Sequence, residues 1–129
     1  MNIPTPLQND LGKRIEDAVD KYGRMSCAQT LAVAYSDLVG MEQDRALQLT
    51  EGFGSGMGKR QTCGAVTVML MLAGLAGKGS RCEGLMNAFE KELGSTMCRD
   101  LMESHGPDHC PDCLRCAGRL LNERVFSGE

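Results

Sequence analysis

The sequence contains no tryptophan and few aromatic residues of any kind. Its 129 residues include three phenylalanines and two tyrosines, so the ring platforms on which single-stranded nucleic acids stack are scarce. The formal net charge is −3, which leaves no excess of positive charge to attract a phosphate backbone. We therefore expect no nucleic-acid partner.

Long hydrophobic runs are also missing. The most apolar segment, VTVMLMLAGLAG, is short and interrupted by glycine, whereas a transmembrane helix needs about 20 apolar residues. The opening MNIPTPLQNDLGKR has neither the apolar core nor the cleavage site of a secretion signal. We expect a cytoplasmic protein without membrane contact, folded as a single domain over residues 1–129.

Apolar residues recur at helical rather than alternating spacing, and no segment has a strong strand pattern. The sequence therefore predicts an all-α fold, a compact bundle of six to seven short helices around one apolar central helix at about residues 62–77. The first helix carries Leu11, Ile15, Ala18, Val19 and Tyr22 on its apolar face. The expected N-terminal caps of later helices are Ser26, Thr62, Ser80 (in a capping box with Glu83), Ser95 or Thr96, and Asp108.

The stretch GFGSGMGKRQTCGA, residues 52–65, is rich in glycine but matches no nucleotide-binding motif. Phe53 stands where a Walker loop needs glycine, and Arg60 follows the lysine where serine or threonine is needed. The glycines also miss the G-x-G-x-x-G spacing. We interpret the stretch as a link between helices whose glycines allow close backbone approach. It leads directly to Cys63, in the first turn of a predicted helix.

Cysteine is the residue type that stands out, with seven in the chain. An odd number in a cytoplasmic protein argues against a closed disulfide framework and favours metal ligation or redox chemistry. Cys27, Cys63, Cys98 and Cys110 each lie within about two residues of a predicted N-cap, on four different helices. Because a helix N-terminus stabilises an anion, this position can lower a thiol pKa. Four such starts meeting at one point would hold a metal or cluster, or present exchangeable thiols.

The segment HCPDCLRC adds Cys113 and Cys116 to Cys110. Its spacing resembles the start of a ferredoxin cluster run, but Leu120 stands where the fourth cysteine would follow. A zinc site using Cys110, Cys113 and two further ligands, His105 or His109 among the candidates, stays open. We interpret Cys82 as structural.

Several segments together resemble a known family: SCAQTLAVAY, GFGSGMGKRQTCGAVT, FEKELGSTMCRDL and the pattern C-x3-L-x2-A-x3-L from Cys110. The chain resembles the redox-active proteins named after the signature C-GCAxxG-C-C, over nearly its whole length from about Cys27. That family is similar to the non-haem part of the dimeric split-Soret cytochromes c, in which an iron–sulfur cluster has been proposed. The resemblance implies an all-helical protein whose signature cysteines are Cys27, Cys63, Cys98 and Cys110. Val68 departs from the signature, which has glycine there.

Three functions follow as hypotheses, and none establishes an enzyme. The leading one is a redox protein, for electron transfer or redox sensing, that binds an iron–sulfur cluster. Its expected metal ligands are Cys27, Cys63, Cys98 and Cys110. Its expected cofactor-lining glycines are Gly54, Gly56, Gly58 and Gly64. Whether Cys113 or Cys116 replaces Cys110 as a ligand stays open. The second is a metal-free thiol–disulfide protein with low thiol pKa values, using pairs such as Cys110 and Cys113 or Cys63 and Cys98. The third is a zinc-stabilised structural or partner-binding module. We expect a redox partner protein, and a homodimer stays open.

Overall fold

Seven α-helices make up most of the described chain. The computed structural model describes residues 13–22, 26–54, 56–106 and 110–126. The helices are α1 Arg14–Tyr22, α2 Cys27–Tyr35, α3 Gln43–Thr50, α4 Gly64–Leu75, α5 Cys82–Leu93, α6 Cys98–His105 and α7 Cys110–Arg124. Turns of 3-10 helix at Ser36–Val39, Glu51–Phe53 and Gly79–Arg81, and a π turn at Gly56–Arg60, connect some of them. The predicted all-α fold is confirmed. Leu11 and the predicted cap Asp108 lie outside the described residues.

Helices α2 and α4 share the centre of the bundle. Eight of the nine residues of α2 are buried, and α2 packs against α1, α3, α4 and α7. Helix α4 carries no charge and packs against α2, α5 and α7, as expected for the apolar central helix. One face of α4 nevertheless reaches the surface, where Leu75 is 50% exposed. Among the described helices, none combines the length and apolar character needed to cross a bilayer.

The C-terminal end of α7 is fixed against the end of α2. The ring of Tyr35 stacks on Phe126 with centroids 5.3 Å apart, and its hydroxyl donates a hydrogen bond to Asn122 Oδ1 at 2.7 Å. Gly118 allows the close approach of α1, since a Cβ there would lie 2.7 Å from Ile15 Cγ1. These contacts join the C-terminal end of α2 to that of α7 and bring α1 close to α7.

The predicted caps had mixed outcomes. Ser26 caps α2 in a full capping box with Gln29, as its hydroxyl accepts a hydrogen bond from the Gln29 N–H at 3.2 Å. The capping box predicted for Ser80 is wrong, because α5 begins at Cys82 with Arg81 as a cap that makes no side-chain hydrogen bond. The 3-10 turn Gly79–Arg81 runs directly into the helix, so no extended residue is available there to act as a side-chain cap.

Candidate functional site

The four signature cysteines all lie at helix starts, as the sequence predicts. Cys27, Cys98 and Cys110 are the first residues of α2, α6 and α7, and Cys63 is the N-cap residue of α4. The side chain of Cys110 is not among those the structure describes. Cys82 also begins a helix, α5, so this position alone does not distinguish a site cysteine from a structural one.

A short antiparallel bridge between Thr62 and Met97 brings the starts of α4 and α6 side by side. The Cys63 N–H donates to the Thr96 carbonyl at 2.8 Å, and the Cys98 N–H donates to the Gln61 carbonyl at 2.6 Å. The predicted cap Thr62 is therefore wrong, because its backbone belongs to this bridge and the cap position falls on Cys63. The bridge supplies hydrogen-bond partners for N–H groups at both helix starts and holds Cys63 and Cys98 near each other.

Ser95 also has a different role from the predicted cap. The N-cap of α6 is Met97, with no side-chain cap hydrogen bond. The Ser95 hydroxyl accepts a hydrogen bond from the Met97 N–H at 3.0 Å and donates one to Asp100 at 2.9 Å. It thus fixes the turn that leads into Cys98, one step before the helix begins.

Two glycines allow the backbone to pack directly on cysteines. A Cβ on Gly64 would lie 2.9 Å from Cys27 Sγ and 2.7 Å from the Phe53 carbonyl oxygen, and a Cβ on Gly56 would lie 2.9 Å from Cys98 Cβ. These separations are too short for any real side chain, so glycine is required at both positions.

The other two predicted glycines differ from each other, because one is required for packing and one for its backbone conformation. A Cβ on Gly54 would lie 2.9 Å from the hydroxyl oxygen of Ser26, the cap next to Cys27. Gly58 faces open space and is required only for its backbone, at φ +73°. The glycine stretch thus acts as packing around the cysteines in Gly54, Gly56 and Gly64, and as a turn in Gly58.

The thiols of three helices meet at Cys63. Its thiol is hydrogen-bonded to those of Cys113 and Cys27, and the three residues are 1%, 1% and 7% exposed. Cys98 is 5% exposed and interacts electrostatically with Cys27 and Cys113. We call Cys27, Cys63, Cys98 and Cys113 the thiol cluster. From the sequence, Cys113 is a candidate zinc ligand, a candidate redox thiol and an alternative to Cys110 in a cluster. Its place on the buried face of α7 with Ala117 and Leu120 is the pattern that indicates an inward-facing thiol.

Cys116 and His105 have their hydrogen-bond partners outside the thiol cluster, and Cys116 interacts with Cys113 only electrostatically. The Cys116 thiol is hydrogen-bonded to the Glu92 carboxylate, which also accepts from the Arg119 guanidinium. The exposed His105 ring contacts the Leu93 carbonyl oxygen at 2.9 Å, so the predicted zinc role for His105 is not supported by its position. His109 lies outside the described residues.

The thiol pKa values run opposite to the sequence expectation. Hydrogen bonds with Cys113 and Cys27, together with burial, raise the pKa of the Cys63 thiol. Burial and the neighbouring Cys27 raise the pKa of Cys98 as well, although the Arg60 guanidinium acts in the lowering direction. A helix N-terminus stabilises an anion by only about 0.3–1 kcal/mol at the surface, whereas burial can move a pKa by several units. The low pKa values expected for Cys63 and Cys98 are therefore wrong for the protein without a bound group.

The thiol cluster has the donor type and burial of a thiolate-ligated centre. Soft thiolates select zinc and iron–sulfur clusters over hard cations, and the missing Cβ of Gly64 leaves room for Cys27 Sγ. Within the described part of the chain, however, no three His, Cys, Asp or Glu side chains are arranged as a metal site. The Cys63 thiol instead interacts with the thiols of Cys27 and Cys113, and the Cys110 side chain falls outside that description.

The family comparison covers most of the chain and all seven cysteines. Residues 25–124 match the model of a family described as a putative redox-active protein, C_GCAxxG_C_C. The chain belongs to this family. The match spans the glycine stretch, the bridge and every helix from α2 to α7. No curated protein and no solved structure matches the chain significantly.

Proposed function

We propose that this member of the redox-active family binds an iron–sulfur cluster through Cys27, Cys63 and Cys98 together with a cysteine from the first turn of α7. The signature supplies Cys110 for that fourth position, and the contact between Cys113 and Cys63 supplies a second candidate on the same turn. The convergence of buried thiols from three helices on Cys63 is the observation that carries the proposal.

A cluster bound here would supply one-electron redox chemistry, with a potential set by burial and by hydrogen bonds to its sulfurs. The chain's contribution is the burial of the thiols, which are at most 7% exposed and so are shielded from water. Metal binding would also remove the thiol protons, since a coordinating thiol is deprotonated by the ion. Raised thiol pKa values in the protein without metal are therefore compatible with thiolate ligation. They lower the affinity for metal at low pH, because protons compete with the metal for the thiols.

The test is anaerobic purification and reconstitution with ferrous iron and sulfide, followed by visible spectroscopy and by iron, acid-labile sulfide and zinc analysis. We expect a coloured protein with iron and sulfide in matched amounts. A colourless, iron-free protein after reconstitution would overturn the proposal, and stoichiometric zinc without colour would replace it with the zinc-stabilised module.

A metal-free thiol–disulfide function is supported by the contacts of Cys63, whereas the raised pKa values of the Cys63 and Cys98 thiols oppose it, because exchange needs a thiolate. Cys63 contacts two thiols, so it can form a disulfide with Cys27 or with Cys113, in each case releasing two protons and passing two electrons to an oxidised partner disulfide. These pairs differ from the Cys110–Cys113 and Cys63–Cys98 pairs that the sequence suggested. Differential alkylation and peptide mass spectrometry of the protein without metal, before and after oxidation by glutathione disulfide, distinguish the pairs.

A further inference from the structure

The backbone that carries Arg60 is fixed against Cys98, the first residue of α6. The Gln61 carbonyl, one residue after Arg60, accepts the Cys98 N–H at 2.6 Å. At the other end of the same turn, the Gly56 backbone packs on Cys98, where an added Cβ would lie 2.9 Å from Cys98 Cβ. The Gln61 N–H donates to the Gly56 carbonyl at 3.0 Å, which closes the turn. Arg60 is therefore placed by the hydrogen bonds that also hold the start of α6.

The Arg60 side chain reaches the face of α6 that carries Cys98. Its guanidinium donates to the Met102 sulfur, and Met102 lies four residues after Cys98 on the same helix. Residues four apart lie on one face of an α-helix. The Arg60 guanidinium accordingly interacts electrostatically with the Cys98 thiol.

Arginine is an unfavourable residue for the backbone at position 60. Its φ is 57°, in the left-handed region that glycine or asparagine occupies with less strain. The residue is exposed, so burial of its side chain does not offset the strain. Residues held in such conformations concentrate at functional sites. The arginine is therefore better explained by the contacts of its guanidinium than by its backbone.

Exposed carboxylates lie on the elements around Arg60, namely Glu51, Asp100 and Glu103, so this part of the surface has no excess of positive charge. Asp100 accepts a hydrogen bond from the Ser95 hydroxyl at 2.9 Å, and the ion pairs of the described residues do not include Arg60. Coulomb energy falls with distance, and water and salt screen exposed charges. The effect considered below is that of one guanidinium on one sulfur, and it requires neither a positive surface nor a docked partner.

We propose that Arg60 is a positioning residue of the thiol cluster, whose guanidinium stabilises negative charge on the Cys98 sulfur. A guanidinium stays protonated in proteins, so its charge is constant. In a centre ligated by Cys98, uptake of one electron from a reductant adds one negative charge and breaks no bond. A fixed cation beside a ligand sulfur favours that reduced state and raises the reduction potential. This consequence rests on the proposed cluster, whereas the contact between Arg60 and Cys98 does not.

The contact is tested on the metal-free protein with two alkylating reagents of different charge. Iodoacetate is an anion and iodoacetamide is neutral, and both react with the same thiolate, so the ratio of their rates at Cys98 reports the local charge whatever the fraction of thiolate. At low salt, Arg60→Gln should lower this ratio about three-fold, with the difference lost at high salt. Arg60→Lys should keep the ratio of the parent. Both variants retain a Cβ and hence the same backbone strain. Mass spectrometry of the Cys98 peptide measures the rates.

Arg99→Gln is the matched control, because it makes the same change in net charge at an exposed residue directly after Cys98. Consecutive side chains on a helix point about 100° apart, so Arg99→Gln should keep the ratio of the parent. The ratio at Cys116 should be the same in every variant. An unchanged Cys98 ratio in Arg60→Gln, an equal drop in Arg99→Gln, or a parallel drop at Cys116 would overturn the role of Arg60.

The effect on the potential is tested on the reconstituted protein at equilibrium with a reference dye. Arg60→Gln should shift this equilibrium about three-fold toward the oxidised protein, while Arg60→Lys and Arg99→Gln should stay near the parent. Equal potentials of Arg60→Gln and the parent would overturn the role of Arg60. A parent protein that binds no iron would instead overturn the proposed cluster, and the alkylation ratio would still decide the contact with Cys98.

Discussion

Cys113 and Cys116 lie three residues apart on α7, and both are buried at 1% and 5% exposure. Their surroundings differ in kind. Cys113 meets the Cys63 thiol among helix starts, whereas Cys116 meets the Glu92 carboxylate on the side of α5. The comparison shows that burial does not select a redox thiol. The two regions differ in their partners. In one, thiols from several helices lie together, whereas in the other a single thiol is hydrogen-bonded to a carboxylate that also pairs with an arginine.

The largest expected effect is the loss of the centre when its central thiol is removed. Cys63→Ala should abolish iron and sulfide incorporation, because Cys63 contacts both Cys27 and Cys113. Cys116→Ala removes an equally buried thiol and should retain both. Iron and acid-labile sulfide per chain after anaerobic reconstitution measure the difference. If Cys116→Ala lost as much iron as Cys63→Ala, the distinction between the two regions would be wrong.

The second effect concerns two glycines on α4. Gly64→Ala should destabilise the protein by about 1–3 kcal/mol, as overpacking does, because its Cβ would lie 2.7 Å from the Phe53 carbonyl oxygen and 2.9 Å from Cys27 Sγ. Gly74→Ala is the matched control, since its Cβ would face open space on the same helix. It should stabilise by up to about 1 kcal/mol through helix propensity.

Urea unfolding of both variants measures these changes. Equal stability of Gly64→Ala and the parent would mean that Cys27 and the start of α4 can separate without cost. That result would remove the packing argument for how the thiol cluster is assembled.

A smaller effect is expected on the acidity of Cys63 in the protein without metal. The hydrogen bond with Cys113 makes the largest contribution to the raised pKa of the Cys63 thiol. Cys113→Ala should therefore lower that pKa, so that alkylation of Cys63 begins at lower pH, while Cys116→Ala should leave the profile unchanged. Iodoacetamide labelling rates against pH, read for the Cys63 peptide by mass spectrometry, give the comparison. An identical shift in both variants would contradict the contact.

Sequence alone could predict the parts of this site that depend on local chemistry. Apolar periodicity predicted the helices, and Ser26 was predicted as the cap of the second helix, so Cys27 was correctly placed at a helix start. Thr62 has the same cap chemistry but lies in a bridge with Met97, thirty-odd residues away in the chain. No local pattern distinguishes these two outcomes, because the second is decided by a long-range hydrogen bond.

The dependence on long-range contacts also explains why the sequence did not predict the thiol pKa values or the position of Cys113. A helix start predicts a lowered thiol pKa only if the thiol faces solvent or a cation. Which cysteines face one another depends on how α2, α4 and α7 pack. The signature therefore selects the correct end of each helix. The choice between Cys110 and Cys113 as a ligand depends on the rotation of α7 about its axis, and the apolar face of α7 indicates this rotation, whereas the cysteine spacing does not.

The smallest effect tests the ion-pair side of the comparison. The hydrogen bond from Arg119 lowers the pKa of Glu92, so this carboxylate stabilises the fold above its unfolded pKa of about 4.3, and that contribution is lost as the pH falls through the lower folded value. Because Glu92 and Arg119 are 43% and 48% exposed, we expect less than about 1 kcal/mol. The urea midpoint of Glu92→Gln should therefore be slightly lower than that of the parent at pH 7 and equal to it near pH 2. Glu90→Gln, at an exposed position on the same helix, is the control and should have the urea midpoint of the parent at both pH values. A deficit of Glu92→Gln that persists in acid would mean that its role is packing against Cys116 rather than charge.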